Sequence, residues 1–315
     1  MKKINELMIS AVIACYKDEQ SIPIMHERLT STFKKIGCDY EIIFVNDGSP
    51  DNSEKILTDI CSVDERTTAI IHSRNFNSQN SFSSGMQHAK GDAVVLLDGD
   101  LQDPPELIEE FVTKWIEGYE VVYGARVKRE TSFLMNISYK FFYRIFNKLS
   151  YINIPLDAGD FSLMDRKVVD AINSLKESDR FIRGLRAWTG FKQIGIPYNR
   201  PERQFGRSTN NLFKNIQWAK KGIFSFSHLP LEIMSLISYS IFLLSSIALI
   251  IYTLLYFIND EAPKGITTLI VLVLFLGSMQ LLSISILSEY IAKILDETKQ
   301  RPHSIIKKII NNKKN

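Results

Sequence analysis

The chain has 315 residues, with 38 Lys and Arg against 35 Asp and Glu and a net charge of +3. That length allows one large α/β domain plus a smaller addition. The charge balance gives no ground for a nucleic-acid partner. Cys15, Cys38 and Cys61 lack the spacing of a metal–thiolate site, so they are expected to be reduced and structural.

A first buried strand is predicted at Met8 to Ala14, with no signal peptide ahead of it and Tyr16-Lys17-Asp18-Glu19 at its carboxyl end. Ile22 to Ile36 has helical spacing. Glu41 to Val45 is a second strand, running into Asn46-Asp47-Gly48-Ser49-Pro50-Asp51. Glu54 follows Asp51 at the spacing of a capping box. Ala69 to Ile71 is a third strand, and a helix is expected around Phe82 to Ala89. Strands and helices alternating at this length predict a parallel, doubly wound sheet.

Ala93 to Leu97 is a continuous apolar run, the pattern of a strand buried on both faces, and it stops at Asp98-Gly99-Asp100. In open α/β sheets ligands collect just beyond such strand ends. Two carboxylates one glycine apart can share a hard cation, and Gly99 would leave room for a phosphate to approach. Asp103 and Pro104 read as the cap and first position of a helix. The chain has no Gly-x-Gly-x-x-Gly, the phosphate cradle of a dehydrogenase.

Val121 to Gly124 is a further strand, ending at Arg126. Phe133 to Phe146 interleaves aromatic and basic residues, which suits a helix in the headgroup layer or a buried core helix. Leu156-Asp157-Ala158-Gly159-Asp160-Phe161 offers two carboxylates, each also able to cap a turn. A helix is expected at Phe181 to Trp188.

Met234 to Ile258 and Ile266 to Leu287 carry no charge. At about 1.5 Å per residue each exceeds the roughly 30 Å hydrocarbon core, so a transmembrane hairpin is expected. Arg200, Arg203, Arg207, Lys214, Lys220 and Lys221 precede the first span. Lys293, Lys299, Arg301, Lys307, Lys308, Lys313 and Lys314 follow the second. By the positive-inside rule the large domain and the tail face the cytoplasm, with a short outer loop.

The Asp98-Gly99-Asp100-Leu101-Gln102-Asp103-Pro104-Pro105 segment resembles the metal-binding motif of family 2 glycosyltransferases. The nearest likeness is to the branch that moves a sugar onto polyprenyl phosphate, that of the dolichol-phosphate mannose synthases and bactoprenol glucosyltransferases. Supporting motifs are Tyr16-Lys17-Asp18, Asn46-Asp47-Gly48-Ser49, Gly159-Asp160-Phe161-Ser162-Leu163 and Arg203-Gln204-Phe205-Gly206-Arg207-Ser208.

The resemblance implies an α/β fold of the GT-A (Rossmann-like) type over residues 1–207. A juxtamembrane amphipathic segment at 208–228, a hairpin at 229–291 and a basic cytoplasmic tail at 292–315 would follow. It implies a nucleotide-sugar donor on Tyr16, Asp18, Asp47, Asp98 and Asp100, and Mg2+ or Mn2+ on Asp98, Asp100 and Gln102. Arg126, Arg203 and Ser208 would serve the phosphates, and Asp160, or else Asp157, would stand beside the acceptor.

The reaction implied is inverting transfer of a hexose to undecaprenyl phosphate in the inner (cytoplasmic) membrane. UDP-glucose is the first choice of donor, with GDP-mannose, UDP-GlcNAc, UDP-galactose and UDP-aminoarabinose open. Self-association is left open. Two further readings stand beside this one: a nucleotidyl or phospho-sugar transferase using the same cation site, and a membrane scaffold with a degenerate transferase domain.

Overall fold

β1 (Met8–Cys15) is buried from Ile9 onward, and it forms the spine on which the domain is assembled. The computed structural model describes residues 4–126, 158–178, 180–201, 204–205, 229–258 and 265–311. Asp157, Arg203, Ser208, the Phe133 to Phe146 stretch and segment 208–228 lie outside the described residues.

β1 pairs in parallel with β2 (Asp39–Asn46) on one side and β4 (Ala93–Asp98) on the other, and β2 pairs in parallel with β3 (Thr67–His72). The registers Ala14↔Asp98 and Cys15↔Asn46 align the carboxyl ends of β1, β2 and β4, so the loops after them meet at one edge. The crossovers are α1 (Ser21–Ile36), α2 (Ser53–Val63) and α3 (Ser78–His88). α1 and α2 cover one face of the sheet, with α4 (Ile108–Ile116), around Met25, Leu29, Phe33, Phe44 and Phe111. α3 covers the other face around Val12, Phe82 and Met86, with α5 (Arg166–Ser174) and α6 (Ile182–Trp188).

The sheet is mixed, which corrects the parallel expectation. Its order is β7-β5-β6-β4-β1-β2-β3-β8. β6 (Ala158–Asp165) lies antiparallel between β4 and β5 (Val121–Arg126), and β7 (Gln193–Tyr198) pairs in parallel with β5. Within the segment expected as a basic tail, β8 (Ile306–Asn311) pairs antiparallel with β3 at the opposite edge. Its Lys307 and Lys308 both reach Glu54, at 3.4 and 2.7 Å.

Two local expectations are overturned. Asp103 does not cap a helix. Pro104 holds the extended conformation (ψ 117°) that a following proline favours, so a 3-10 turn starts only at Pro105, ahead of α4. Asp103 instead accepts a hydrogen bond from Tyr198 at 2.7 Å. Asp51 and Glu54 form no capping box, because Asp51 binds Ser49, Ser53 and the backbone of Glu19 while Glu54 turns to the tail lysines.

α7 (Leu229–Ile258) and α8 (Ile266–Thr298) are the two long apolar helices, with windows Leu231–Ala248 and Leu272–Thr298 of mean hydropathy 1.7. Their large side chains, such as Leu236, Phe242, Leu274 and Leu281, face outward rather than into a core. A helix apolar all round and uncovered by protein is suited to lipid. α8 runs past its uncharged stretch and meets the domain, where Glu297 accepts hydrogen bonds from the backbone of Ser178 at 2.8 and 3.1 Å.

Candidate active site

Asp98 ends β4, and the chain turns through Leu101 at a positive φ of 62°. That turn gathers Asp98, Asp100 and Asp103 at the carboxyl edge of the sheet. The backbone N–H of Gln102 donates to Asp100 at 3.1 Å, which fixes the carboxylate. Burial, then the neighbouring Asp103, Asp100 and Asp160 carboxylates, push the Asp98 carboxyl up, against the pull of Arg200. Negative charge concentrated in this way is relieved by a cation.

Gly99 is required by the fold itself. A Cβ there would lie 2.9 Å from the Cys15 sulfur, 3.0 Å from the Ala14 carbonyl and 3.1 Å from Asp18. The glycine lets the β4 and β1 loops touch.

On the neighbouring loops, Asp18 accepts from the backbone of Tyr16 at 2.9 Å and is itself buried. Asn46 accepts from the Ser49 N–H at 2.8 Å, so this side chain anchors its own turn. Asp47 points inward: one oxygen takes the Phe76 N–H at 2.8 Å and the His72 ring at 2.9 Å. Gly48, at φ 62°, sits so close to Arg74 that a Cβ would be 2.5 Å from its carbonyl carbon. Lys17, Asp18, Glu19, Gln20, Pro50, Asp51 and Phe205 enclose a cleft of about 340 Å³ beside these loops. Ligand pockets begin at roughly that size.

Across from the acidic cluster lies a basic one. Asp160, on β6, is gripped by Arg183 of α6 through Nε at 3.0 Å and Nη2 at 3.3 Å, and Gln79 of α3 donates to it at 3.0 Å. Gln79 also accepts the Ile182 N–H at 2.8 Å, setting the start of α6. Arg186 is buried one turn on and donates to the Gly159 carbonyl at 3.4 Å, while among the described residues its Nε and Nη1 have no hydrogen-bond partner. Arg126, at the end of β5, donates to the Tyr198 hydroxyl at 3.5 Å. Gly159 packs against the Arg126 guanidinium, within 3.0 Å of a Cβ position. Burial works to raise the Asp160 carboxyl, but Arg183, with Arg186 and Arg126, holds it below the ordinary carboxylate range. Burial likewise draws Arg186 down to about 10.

Asp98, Asp100 and Asp160 therefore converge, with Arg126 at their border and Asp18 on the adjoining loop. The Gln102 amide faces the start of the 200s segment, donating to the Pro201 carbonyl at 3.0 Å. Sequence reasoning missed Arg200, Arg183, Arg186 and Gln79. Arg200 read as one of several juxtamembrane charges, yet it follows directly on β7, where a side chain is delivered to the sheet's edge.

Among the described residues no group of three or more His, Cys, Asp or Glu has metal-binding geometry. The pair Asp98 and Asp100 nonetheless fits Mg2+ or Mn2+ of the kind that takes one or two carboxylates and completes its shell with substrate phosphates and water. Both carboxylates reach toward one point, since the same Arg200 nitrogen is 3.7 Å from one and 3.8 Å from the other.

A GT-A sheet with an acidic pair at the end of β4 defines a glycosyltransferase. The family model described as glycosyl transferase family 2 matches residues 10–172, and the chain belongs to that family. It is 41% identical to an uncharacterised glycosyltransferase of Bacillus subtilis, over 96% of this chain and 94% of the relative. It is 36% identical to a prophage-derived bactoprenol glucosyl transferase of Shigella flexneri, over 96% and 98% of the two chains. A prophage bactoprenol glucosyl transferase homolog of Escherichia coli is 34% identical, over 96% and 99%.

Proposed function

We propose that this enzyme transfers one hexose, from UDP-glucose as first choice of donor, to the phosphate of a membrane polyprenyl phosphate. One observation carries the reading: an acidic cluster and an arginine cluster adjoin at the sheet's carboxyl edge, on a domain fastened to two membrane helices. The names of the relatives point to the same acceptor class.

In this reading Asp98 and Asp100 hold Mg2+ or Mn2+, which supplies charge neutralisation to the departing nucleoside diphosphate. Tyr16 packs on the base and Asp18 accepts hydrogen bonds from the base or ribose, beside the cleft that Asp18 and Phe205 help to line. Arg126 presents its fork to the acceptor phosphate, joined by Arg203 and Ser208. A phosphate oxygen attacks the anomeric carbon as its bond to the diphosphate breaks, with inversion. A phosphate monoester is already largely ionised at neutral pH, so no strong base is needed. Asp160, held ionised by Arg183, is a poor proton acceptor, and its work is to orient the arginines around the acceptor.

In this reading the domain and the tail share one side of the membrane, which the place of β8 in the same sheet as β1 to β4 supports. The positive flanks favour the cytoplasm for that side. The deciding assay uses purified protein, undecaprenyl phosphate and a panel of nucleotide sugars. Nucleoside diphosphate should be released only when the lipid phosphate is present. Equal release without lipid, or transfer to a soluble acceptor, would overturn the proposal.

A further inference from the structure

Arg200 is delivered across the mouth of the acidic motif by the end of β7. Pro201 keeps it extended, and the Gln102 amide ties the Pro201 carbonyl to that motif at 3.0 Å. Its Nη2 lies 3.7 Å from Asp98 and 3.8 Å from Asp100, and its Nε lies 3.9 Å from Asp103. Among the described residues these are ion pairs without hydrogen bonds, and the buried Nε has no hydrogen-bond acceptor.

The same protein shows what a fixed arginine fork looks like. Arg28 grips Glu106 at 2.8 and 2.6 Å, and Arg183 grips Asp160 at 3.0 and 3.3 Å. Permanent guanidinium–carboxylate pairs take that bidentate form. Arg200 faces three carboxylates and forks none of them. Its guanidinium stands where a cation bridging Asp98 and Asp100 would also have to be balanced, and two positive charges so close repel.

We propose that Arg200 is a built-in stand-in for the divalent cation. Before the donor binds, it offsets part of the negative charge gathered on Asp98, Asp100 and Asp103. When cation and nucleoside diphosphate arrive together, it leaves the carboxylates for the diphosphate oxygens, which accept its planar fork. The cation alone then binds poorly, and the nucleotide makes its binding favourable by giving Arg200 a new partner. This inference rests on the assignment of the cation to Asp98 and Asp100.

The test measures Mn2+ affinity by electron paramagnetic resonance on the purified full chain, with and without UDP. Wild type, Arg200→Gln, Arg200→Lys and Asp100→Asn are compared. Arg200→Gln should bind Mn2+ alone about tenfold more tightly than wild type. With UDP that advantage should vanish or reverse. Arg200→Lys, which keeps a charge but not the fork, should lie between. Melting without metal should occur at a lower temperature in Arg200→Gln, and Mn2+ should restore it. If Arg200→Gln and Arg200→Lys bind Mn2+ as wild type does while Asp100→Asn binds none, the cation site stands and the stand-in is refuted. If Asp100→Asn binds Mn2+ normally with UDP present, the cation assignment fails, and this inference with it.

Discussion

Replacing Arg183 with Met removes the fork on Asp160 while keeping most of the side chain's bulk. Three charge-assisted hydrogen bonds are lost, two to Asp160 at 3.0 and 3.3 Å and one to the Ala158 carbonyl at 3.3 Å, and the ion pair's side chains are 28% and 10% exposed. Stripping the partner from a buried ion pair commonly costs about 3–5 kcal/mol. Asp160 keeps the Gln79 hydrogen bond and the field of Arg186 and Arg126, so the expected loss is lower, about 2–3 kcal/mol.

Acid should shrink that loss. The native Asp160 carboxyl sits below its ordinary value of 3.8, so its stabilising share is present above that value and fades as pH falls through the native one. Without Arg183 the carboxyl rises and takes up a proton at higher pH. The gap between variant and wild type is therefore widest near neutrality and narrows toward pH ~4. Urea unfolding of the detergent-solubilised protein can follow this through Trp115, whose indole donates to Asp165 at 2.8 Å. Combining Arg183→Met with Asp160→Asn should recover about 1–2 kcal/mol of the summed loss. A variant within about 0.5 kcal/mol of wild type, with a gap constant across pH, would refute the electrostatic account.

Asp100→Asn should abolish transfer without changing the melting profile of the Mn2+-free protein by more than a few degrees; full turnover would remove the carboxylate from the mechanism. Gly85→Ala places a Cβ 2.2 Å from a Val12 methyl, between α3 and β1, and should destabilise the domain by about 2–3 kcal/mol; an unchanged urea midpoint would contradict that packing. Cutting the chain after Thr298 removes β8, and limited proteolysis should then attack the β3 side of the sheet at least several-fold faster. In intact cells, a cysteine placed at Asp260 should react with an impermeant thiol reagent, whereas one at Asn311 should not; the reverse pattern would invert the proposed orientation.

Much of the parallel half was legible in the sequence because each strand is buried on both faces and reads as an apolar run. Ala93 to Leu97 is the plainest case, and the acidic pair at its end marked the site. β6 escaped because Gly159-Asp160 and Ser162 break its apolar run, and their partners come from distant helices. Nothing local in the chain says that β6 lies antiparallel between β4 and β5. β8 was hidden by its lysines, which read as a charged tail although Ile306 and Ile310 pack against the sheet's two apolar faces. Asp103 had the right neighbours for a cap, and the second proline delayed the helix. Arg200 was counted for its charge alone, because a carboxylate cluster drawn from a loop ~100 residues earlier is invisible to local pattern.

The docking of β8 sets an order on biosynthesis. β3 ends at His72, but the strand that closes its outer edge begins at Ile306, after both apolar helices have been made. Until then the nascent sheet keeps an open edge, the feature by which partly made chains stick to one another. Closure requires α8 to return its end to the side on which the sheet is waiting. A chain that inserts one helix and strands the other across the bilayer cannot finish its own sheet.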